Sequence, residues 1–148
     1  MSLIVINKSI LNADEQYIAH QCNCMSKTSA GLAKSLFDKF PYANVYSQRT
    51  SPDKLGTIKI CGDGIYKRYV INMFAQYYPG KSKYDNDSLK IRLKAFENCL
   101  SQISLINELE SIAFPYNIGC GLAGGDWDAY LGLIEKFSLT NNVYLYKV

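Results

Sequence analysis

The sequence has few of the residues from which metal sites and redox motifs are built. Its 148 residues include one histidine, His20, and five cysteines, none of which stands in a CxxC pair. A structural zinc site takes four ligands, drawn largely from closely spaced cysteines and histidines. Cys22 and Cys24 lie two residues apart, but no second pair completes a site. We therefore predict neither a metal site nor a bound cofactor.

Long apolar runs and blocks of like charge are also missing. No run approaches the roughly eighteen apolar residues of a membrane span, and residues 1–6 lack the basic segment and cleavage site of a signal peptide. We expect a cytosolic protein with no membrane partner. Sixteen basic and thirteen acidic residues are scattered along the chain and give a net charge of +3, which does not favour nucleic acid as a partner.

Basic residues are densest just past the middle of the chain, at Lys81, Lys83, Lys90, Arg92 and Lys94. One interpretation is a solvated loop followed by the outer face of a helix. The other is a positive rim that attracts an anionic ligand.

Apolar residues make up 48% of the chain, enough for the core of a single domain that spans residues 1–148. Short runs of branched residues alternate with longer segments of helical periodicity. The patterns predict strands at 3–6, 17–22, 111–115 and 142–148, a hairpin at 56–74 about Asp63-Gly64, and helices at 31–40, 89–103 and 127–137. This order predicts an α/β fold, with helices on both faces of a mostly parallel sheet and at least one antiparallel pair.

Two segments leave a strand, pass through small or polar residues and enter a helix. The first loop (residues 22–31) lies in CNCMSKTSAGLAK, and the second loop (residues 117–127) is NIGCGLAGGDW. Both should lie at the carboxyl edge of the sheet, where open α/β sheets bind ligands. Glycine permits close approach of the backbone and helix N-termini favour anions, so the two loops suit a ligand with two phosphates. Neither loop is a Walker A or a GxGxxG dinucleotide motif.

The segments IAHQCNCMSKTSAGLAKSLFDKFP, VINMFAQ and IAFPYNIGCGLAGGDW resemble those of a macro domain, an ADP-ribose-binding module. The resemblance runs from the first strand to the last. It is greatest for the branch with ADP-ribose-1''-phosphate phosphatases and hydrolases of terminal ADP-ribose and O-acetyl-ADP-ribose, which includes phage and viral copies. It implies one three-layer α/β/α macro domain with a mixed, mostly parallel central sheet. We also expect a monomer, in the cytosol of the host cell if the protein is viral.

The resemblance assigns positions around the ligand. Asn23 would face the distal ribose, and Phe74 and Gln76 would edge the pocket, although Asn23 and Phe74 also suit ordinary structural roles. Tyr146 would lie near the adenine, as would Ser9 and Ile10. Backbone amides would hold the diphosphate, from Ser29, Ala30, Gly31 and Leu32 in the first loop and from Gly119, Cys120, Gly121, Leu122 and Ala123 in the second.

The chain departs from the family pattern in three respects, of which the third concerns two catalytic groups. Ser9 stands where many macro domains have an aspartate that reads the adenine amine, and the first loop reads Ser29-Ala30-Gly31 in place of Gly-x-Gly. Ala123 stands where some hydrolases of the family have a catalytic aspartate, and their lysine nucleophile has no counterpart near Gln76. These departures argue against strict adenine recognition and against covalent lysine chemistry.

Few groups could catalyse hydrolysis at the distal ribose. Asp126 is either the N-cap of the last helix or a carboxylate that orients water in the cleft. His20 is either a core residue or a general acid or base, and Cys120 is a weaker candidate for a nucleophile.

The leading hypothesis is a phosphatase or deacylase of ADP-ribose derivatives, with Asp126, Asn23 and His20 as its catalytic residues. One alternative is a reader that binds ADP-ribose, or a related NAD-derived nucleotide, without turnover. The other is an enzyme that removes ADP-ribose from modified proteins, which would then be its partners.

Overall fold

The computed structural model describes residues 2–65, 67–107 and 109–148. Within these residues, six strands form one sheet in the order β1-β6-β5-β2-β4-β3. They are β1 (Leu3–Ile6), β2 (Tyr17–Asn23), β3 (Ile58–Gly62), β4 (Tyr69–Gln76), β5 (Ser111–Pro115) and β6 (Asn142–Tyr146). All neighbouring strands are parallel except β3 and β4, which are antiparallel. The predicted mixed, mostly parallel sheet is therefore confirmed.

In the part of the chain that the structure describes, three helices cover the two faces of this sheet: α1 (Gly31–Lys39), α2 (Leu89–Ile103) and α3 (Trp127–Phe137). Successive side chains of a strand point to opposite faces. In β2, Ile18 packs with Leu36 of α1, whereas Ala19 joins a cluster that contains Phe96 of α2 and Ile134 of α3. Helix α1 therefore covers one face, and α2 and α3 cover the other. In the described part of the chain, no helix is long and apolar enough to cross a membrane.

The predicted elements agree with the observed ones to within about two residues at most ends. The largest difference is in the hairpin, because β3 ends at Gly62 and β4 begins only at Tyr69, so the connection is longer than the tight turn expected at Asp63-Gly64. The strands still pair antiparallel, with Ile60 opposite Ile71. Short 3₁₀ turns at Ile10–Asn12, Pro41–Ala43 and Asp85–Asp87 complete the connections.

The parallel strands bring their carboxyl ends to a single edge of the sheet. The first loop follows β2 there and leads into α1, and the second loop follows β5 and leads into α3. The connection from β4 to α2, residues 77–88, begins at the same edge. The chain order of strands and helices thus places three connections around one opening.

Candidate functional site

A cleft of about 390 Å³ opens at this edge, between the first and second loops. The side nearer α1 is formed by Asn23, Ser26, Thr28 and residues 30–33, and the opposite side by residues 115–119 and 121–123. Among the residues that the structure describes, no aspartate, glutamate, lysine or arginine lines the cleft. An anionic ligand would therefore meet backbone amides and neutral side chains.

The N-terminus of α1 is open to the cleft. Its N-cap residue, Ala30, makes no side-chain hydrogen bond to the helix. By contrast, Ser88 caps α2 by accepting from the amide of Ile91, and Asp126 caps α3 by accepting from the amide of Asp128. Because the first amides of a helix have no partner within the helix, those of α1 remain available to a ligand, with the helix dipole behind them.

The second loop also presents free amides. In the described part of the chain, the N–H groups of Gly121, Leu122 and Ala123 donate to no protein acceptor, whereas the amide of Cys120 donates to Asn117 O and that of Gly124 to Gly121 O. Consecutive free amides of this kind form an anion-binding concavity. The two predicted phosphate loops therefore each offer backbone donors to the same cleft.

The four glycines of the second loop have different structural reasons for lacking a side chain. A Cβ at Gly119 would lie 2.7 Å from Cε1 of Tyr130, and one at Gly125 would lie 2.6 Å from Gly119 O. Gly124 has a φ of +74° and lies against the side chain of Lys81. Only Gly121 has nothing within 4 Å of a Cβ. Of the four, Gly121 is thus the glycine at which the absence of a side chain leaves open space in the cleft.

Leu122 connects the two loops across the mouth of the cleft. Its side chain is 67% exposed, and its Cδ1 lies 2.8 Å from the position of a Cβ at Gly31. Gly31 has a φ of +58°, so its backbone conformation favours glycine there.

Asn23 lies at the end of the cleft between β2 and β4. Its Oδ1 accepts from the amides of Met25 at 3.0 Å and Ser26 at 2.8 Å. Among the described residues, its Nδ2 has no hydrogen-bond acceptor and is available to a ligand. The amide of Asn23 donates to Oη of Tyr46 at 2.8 Å. The buried guanidinium of Arg49 donates to the carbonyls of Asn23 and Ser26, both at 3.0 Å. Sequence reasoning missed Tyr46 and Arg49, because they support the first loop through backbone atoms.

Gln76 faces the cleft as predicted for a residue at its edge. Its Nε2 donates to Tyr78 O at 3.0 Å, and its Oε1 accepts from Nε2 of Gln21 at 2.8 Å. The neighbouring Phe74 is 2% exposed and packs in the core with Cys22 and Phe37. Of the two roles left open for Phe74, the structure supports the structural one.

The predicted catalytic groups lie in unfavourable surroundings for acid–base chemistry. His20 is 1% exposed, and burial lowers its pKa to about 4 in spite of a 2.6 Å hydrogen bond with Oδ1 of Asn72. Burial, and then the charge of Asp126, raise the pKa of the Cys120 thiol to about 11. The imidazole is therefore neutral and enclosed, and the thiol stays protonated near neutral pH. The Asp126 carboxylate caps α3, outside the lining of the cleft.

The residues predicted for the adenine end are occupied elsewhere. Oγ of Ser9 accepts from the amide of Leu11, Ile10 is buried, and the hydroxyl of Tyr146 donates to Oε1 of Glu15 at 2.5 Å. Of all the predicted site residues, the cleft is lined by His20, Asn23, Ala30, Gly31, Leu32, Gln76, Gly119, Gly121, Leu122 and Ala123; Ser9, Ile10, Ser29, Phe74, Cys120, Asp126 and Tyr146 lie outside it.

An aromatic residue that sequence reasoning missed lines the cleft beside the end of β5. Tyr116 directly follows β5 and lines the cleft. Its ring centroid is 4.8 Å from that of Trp127, and Nζ of Lys147 lies 4.7 Å from the centre of the Tyr116 ring. The sequence signal that could have identified Tyr116 is its position directly after a buried strand that ends at Pro115.

Comparison with known proteins agrees with the family resemblance of the sequence. Residues 19–134 match the macro domain family. A 17.5 kDa protein from the tk-vs intergenic region of Enterobacteria phage T4 is 25% identical over 137 residues, which cover 86% of this chain and 83% of that protein. A protein structure from Bacteroides thetaiotaomicron is similar with a TM-score of 0.76 and 26% identity, covering 99% of this chain and 100% of the other.

A macrodomain from Trypanosoma brucei has the same fold, with a TM-score of 0.66 and 15% identity, covering 98% of this chain and 62% of the other. That protein was solved in complex with ADP-ribose. The family match covers most of the chain, including both loops of the cleft. The chain therefore belongs to the macro domain family.

Proposed function

We propose that this macro domain binds ADP-ribose or a derivative of it in the cleft between the two loops. The observation that carries the proposal is the pair of open amide groups, at the N-terminus of α1 and at residues 121–123, on the two sides of one cleft. A diphosphate has oxygens for both sets. The volume of about 390 Å³ is within the usual range for small-ligand sites.

The two ends of the cleft suggest how the ligand lies. Asn23 and Gln76 offer neutral hydrogen-bonding groups at the β2–β4 end, which suits the hydroxyls of the distal ribose. Tyr116 offers an aromatic ring at the β5 end, which suits a base. In this orientation Tyr116 takes the place that the sequence suggested for Tyr146. No carboxylate among the described lining residues would read the adenine amine, so recognition of the base rests on stacking.

Binding without turnover is the function that this geometry supports best. The candidate acid–base groups are a neutral, buried His20 and an Asp126 that caps α3. Neither offers an accessible proton acceptor at the Asn23 end, where the distal ribose would lie. The chain would then act as a reader of ADP-ribose, free or attached to a protein.

Hydrolysis of a group on the distal ribose is the second candidate. The observation in its favour is that Asp126 is an exposed residue of the second loop itself, three residues after the free amide of Ala123. An Asp126 side chain that leaves the cap could then orient a water molecule. The substrates would be derivatives such as ADP-ribose-1''-phosphate.

Calorimetric titration with ADP-ribose tests the first proposal. We expect a dissociation constant on the order of micromolar, which corresponds to about 8 kcal/mol of binding free energy. Absence of binding at millimolar ligand would refute both candidates. Incubation with ADP-ribose-1''-phosphate, with phosphate release as the readout, then separates them.

Asp126→Ala is the informative variant for turnover. As the loss of an N-cap, it should cost about 1 kcal/mol of stability and leave ADP-ribose binding unchanged. If the wild type releases phosphate, this variant should not. Turnover that survives the change would remove Asp126 from the mechanism. Ser88→Ala, which removes the cap of α2, is the matched control for stability.

A further inference from the structure

Arg92 is a buried cation next to the cleft, in contrast to the solvated helix face that the sequence suggested for it. It is 1% exposed and forms an ion pair with Asp87, which is fully buried. Nη2 of Arg92 donates to Oδ2 of Asp87 at 2.6 Å, and Nε donates to Oδ1 at 3.1 Å. The pair is thus bidentate, and the charge of the guanidinium is neutralised locally.

The remaining donors of Arg92 reach the backbone around the cleft. Nη1 donates to Gly80 O at 2.8 Å and to Ala123 O at 3.3 Å, and Nη2 donates to Tyr78 O at 3.2 Å. Gly80 and Ala123 both line the cleft, from the connection after β4 and from the second loop. One side chain therefore joins α2 to two separate segments of the cleft.

Asp87 completes this arrangement from the other side. Its carboxylate accepts from the amides of Tyr77 at 2.8 Å and Tyr78 at 3.0 Å. Burial opposes ionisation of Asp87, but the hydrogen bonds from Arg92 and these two amides outweigh it and lower its pKa. Asp87 therefore fixes the beginning of the same connection whose later part Arg92 holds.

The contact with Ala123 bears on the free amides of the second loop. The peptide units of residues 121–123 carry the unpaired N–H groups, and the carbonyl that follows them is fixed toward Arg92. Ala123 O shares its planar peptide unit with the N–H of Gly124, which donates to Gly121 O at 3.1 Å. Arg92 therefore fixes the peptide unit that closes the turn of residues 121–124, and the free amides of Leu122 and Ala123 lie within that turn. Among the residues that the structure describes, only Arg92 has a side chain that donates a hydrogen bond to a carbonyl of residues 121–123.

We propose that Arg92 is a positioning residue that holds the amides of the second loop in the orientation that binds the ligand diphosphate. This inference rests on the proposed function, since it assigns Arg92 a part in ADP-ribose binding without contact to the ligand. A lysine cannot replace it, because a single ammonium group lacks the planar fork that reaches Asp87, Gly80 and Ala123 together.

Arg92→Lys tests the proposal, with Ile103→Ala as its control. Ile103 is fully buried in the same helix, about 16 Å further along its axis, so the control lowers stability away from the cleft. By calorimetry at a temperature where both variants are folded, Arg92→Lys should weaken ADP-ribose binding at least about tenfold, the equivalent of one hydrogen bond to a charged group. Ile103→Ala should change the dissociation constant by less than about twofold.

Hydrogen exchange gives a readout that needs no ligand. In the free protein, peptides that cover residues 119–125 should exchange faster in Arg92→Lys than in the wild type, and at the wild-type rate in Ile103→Ala. If Arg92→Lys does not fold, the double variant Asp87→Asn, Arg92→Gln replaces the ion pair by neutral amides without leaving a charge unpaired. It should show the same weakened binding and faster exchange.

The outcomes separate this inference from the proposed function. A wild type that does not bind ADP-ribose refutes the proposed function, and the exchange comparison still decides whether Arg92 orders the second loop. Wild-type affinity and wild-type exchange in Arg92→Lys would overturn the positioning role. Equal weakening of binding by Ile103→Ala would also overturn it, since loss of stability alone would then explain the effect.

Discussion

Gly121→Ala is the smallest change that separates ligand binding from folding in this cleft. A Cβ at Gly121 meets no protein atom within 4 Å, and Gly121 does not have the positive φ of its neighbours Gly119 and Gly124. The substitution therefore imposes no strain on the folded chain. It places a methyl group in the cleft beside the free amides of residues 121–123.

The expected effects have opposite signs. Replacing glycine by alanine at an unstrained position stabilises a protein by about 0.4–1 kcal/mol, because the unfolded chain loses conformational freedom. A hydrogen bond from an amide to a charged phosphate is worth about 1.5–3 kcal/mol. If the methyl group keeps the diphosphate from one or two of these amides, the loss is about 1.5–6 kcal/mol, or roughly ten- to ten-thousand-fold in affinity.

Gly132→Ala is the matched control, because Gly132 also has open space around a Cβ but lies in α3 away from the cleft. Thermal unfolding should show that neither variant is less stable than the wild type. Calorimetric titration with ADP-ribose should show wild-type affinity for Gly132→Ala and a large loss for Gly121→Ala. Wild-type affinity in Gly121→Ala would refute the conclusion that the diphosphate approaches the second loop.

Other positions give outcomes of different kinds. Gly119→Ala should lose roughly 1–3 kcal/mol of stability in urea unfolding, because its φ is +77° and its Cβ would meet the Tyr130 ring; wild-type stability would contradict this. Stability should fall as the pH drops from about 6.5 to about 4, because the unfolded chain protonates His20 while the folded chain, with a pKa of about 4, does not. The loss approaches roughly 3 kcal/mol, and His20→Gln should flatten the profile in that window; an unchanged slope would contradict the assignment. Tyr116→Ala should weaken ADP-ribose binding about tenfold or more but leave the affinity for ribose 5-phosphate unchanged, because base stacking is worth about 1–3 kcal/mol; equal loss for both ligands would place the base elsewhere.

Much of the fold could be predicted because its signals are local. The strands have continuous branched runs, the helices have apolar spacing, and their alternation leaves few possible sheet topologies. The position of both loops at one edge follows from the parallel strands that precede them. The hairpin connection was the weakest part, since an Asp-Gly pair allows a tight turn without requiring one.

The details of the site depend on contacts that leave no mark in the local sequence. Gly119 and Gly125 look like Gly121 in the sequence. They differ from it because the Tyr130 ring of α3 packs against both, Gly119 has a positive φ, and the carbonyl of Gly119 lies where a Cβ of Gly125 would be. The sequence left Arg92 either on a solvated helix face or in a positive rim, because it does not show that the partners of Arg92 are Asp87 and backbone carbonyls. Asp126 was left with two roles by its sequence position, and the structure places it in the cap of α3.

The missing cap of α1 also bears on how this protein could change. A serine or aspartate at position 30 would supply the hydrogen bond that Ala30 cannot make, and a cap is worth about 1 kcal/mol. The new oxygen would occupy the amides that a phosphate oxygen is proposed to bind. Selection for a more stable free protein and selection for ligand affinity would therefore favour different residues at position 30. With Ala30, a bound ligand would itself cap α1, so the helix would gain this hydrogen bond only in the complex.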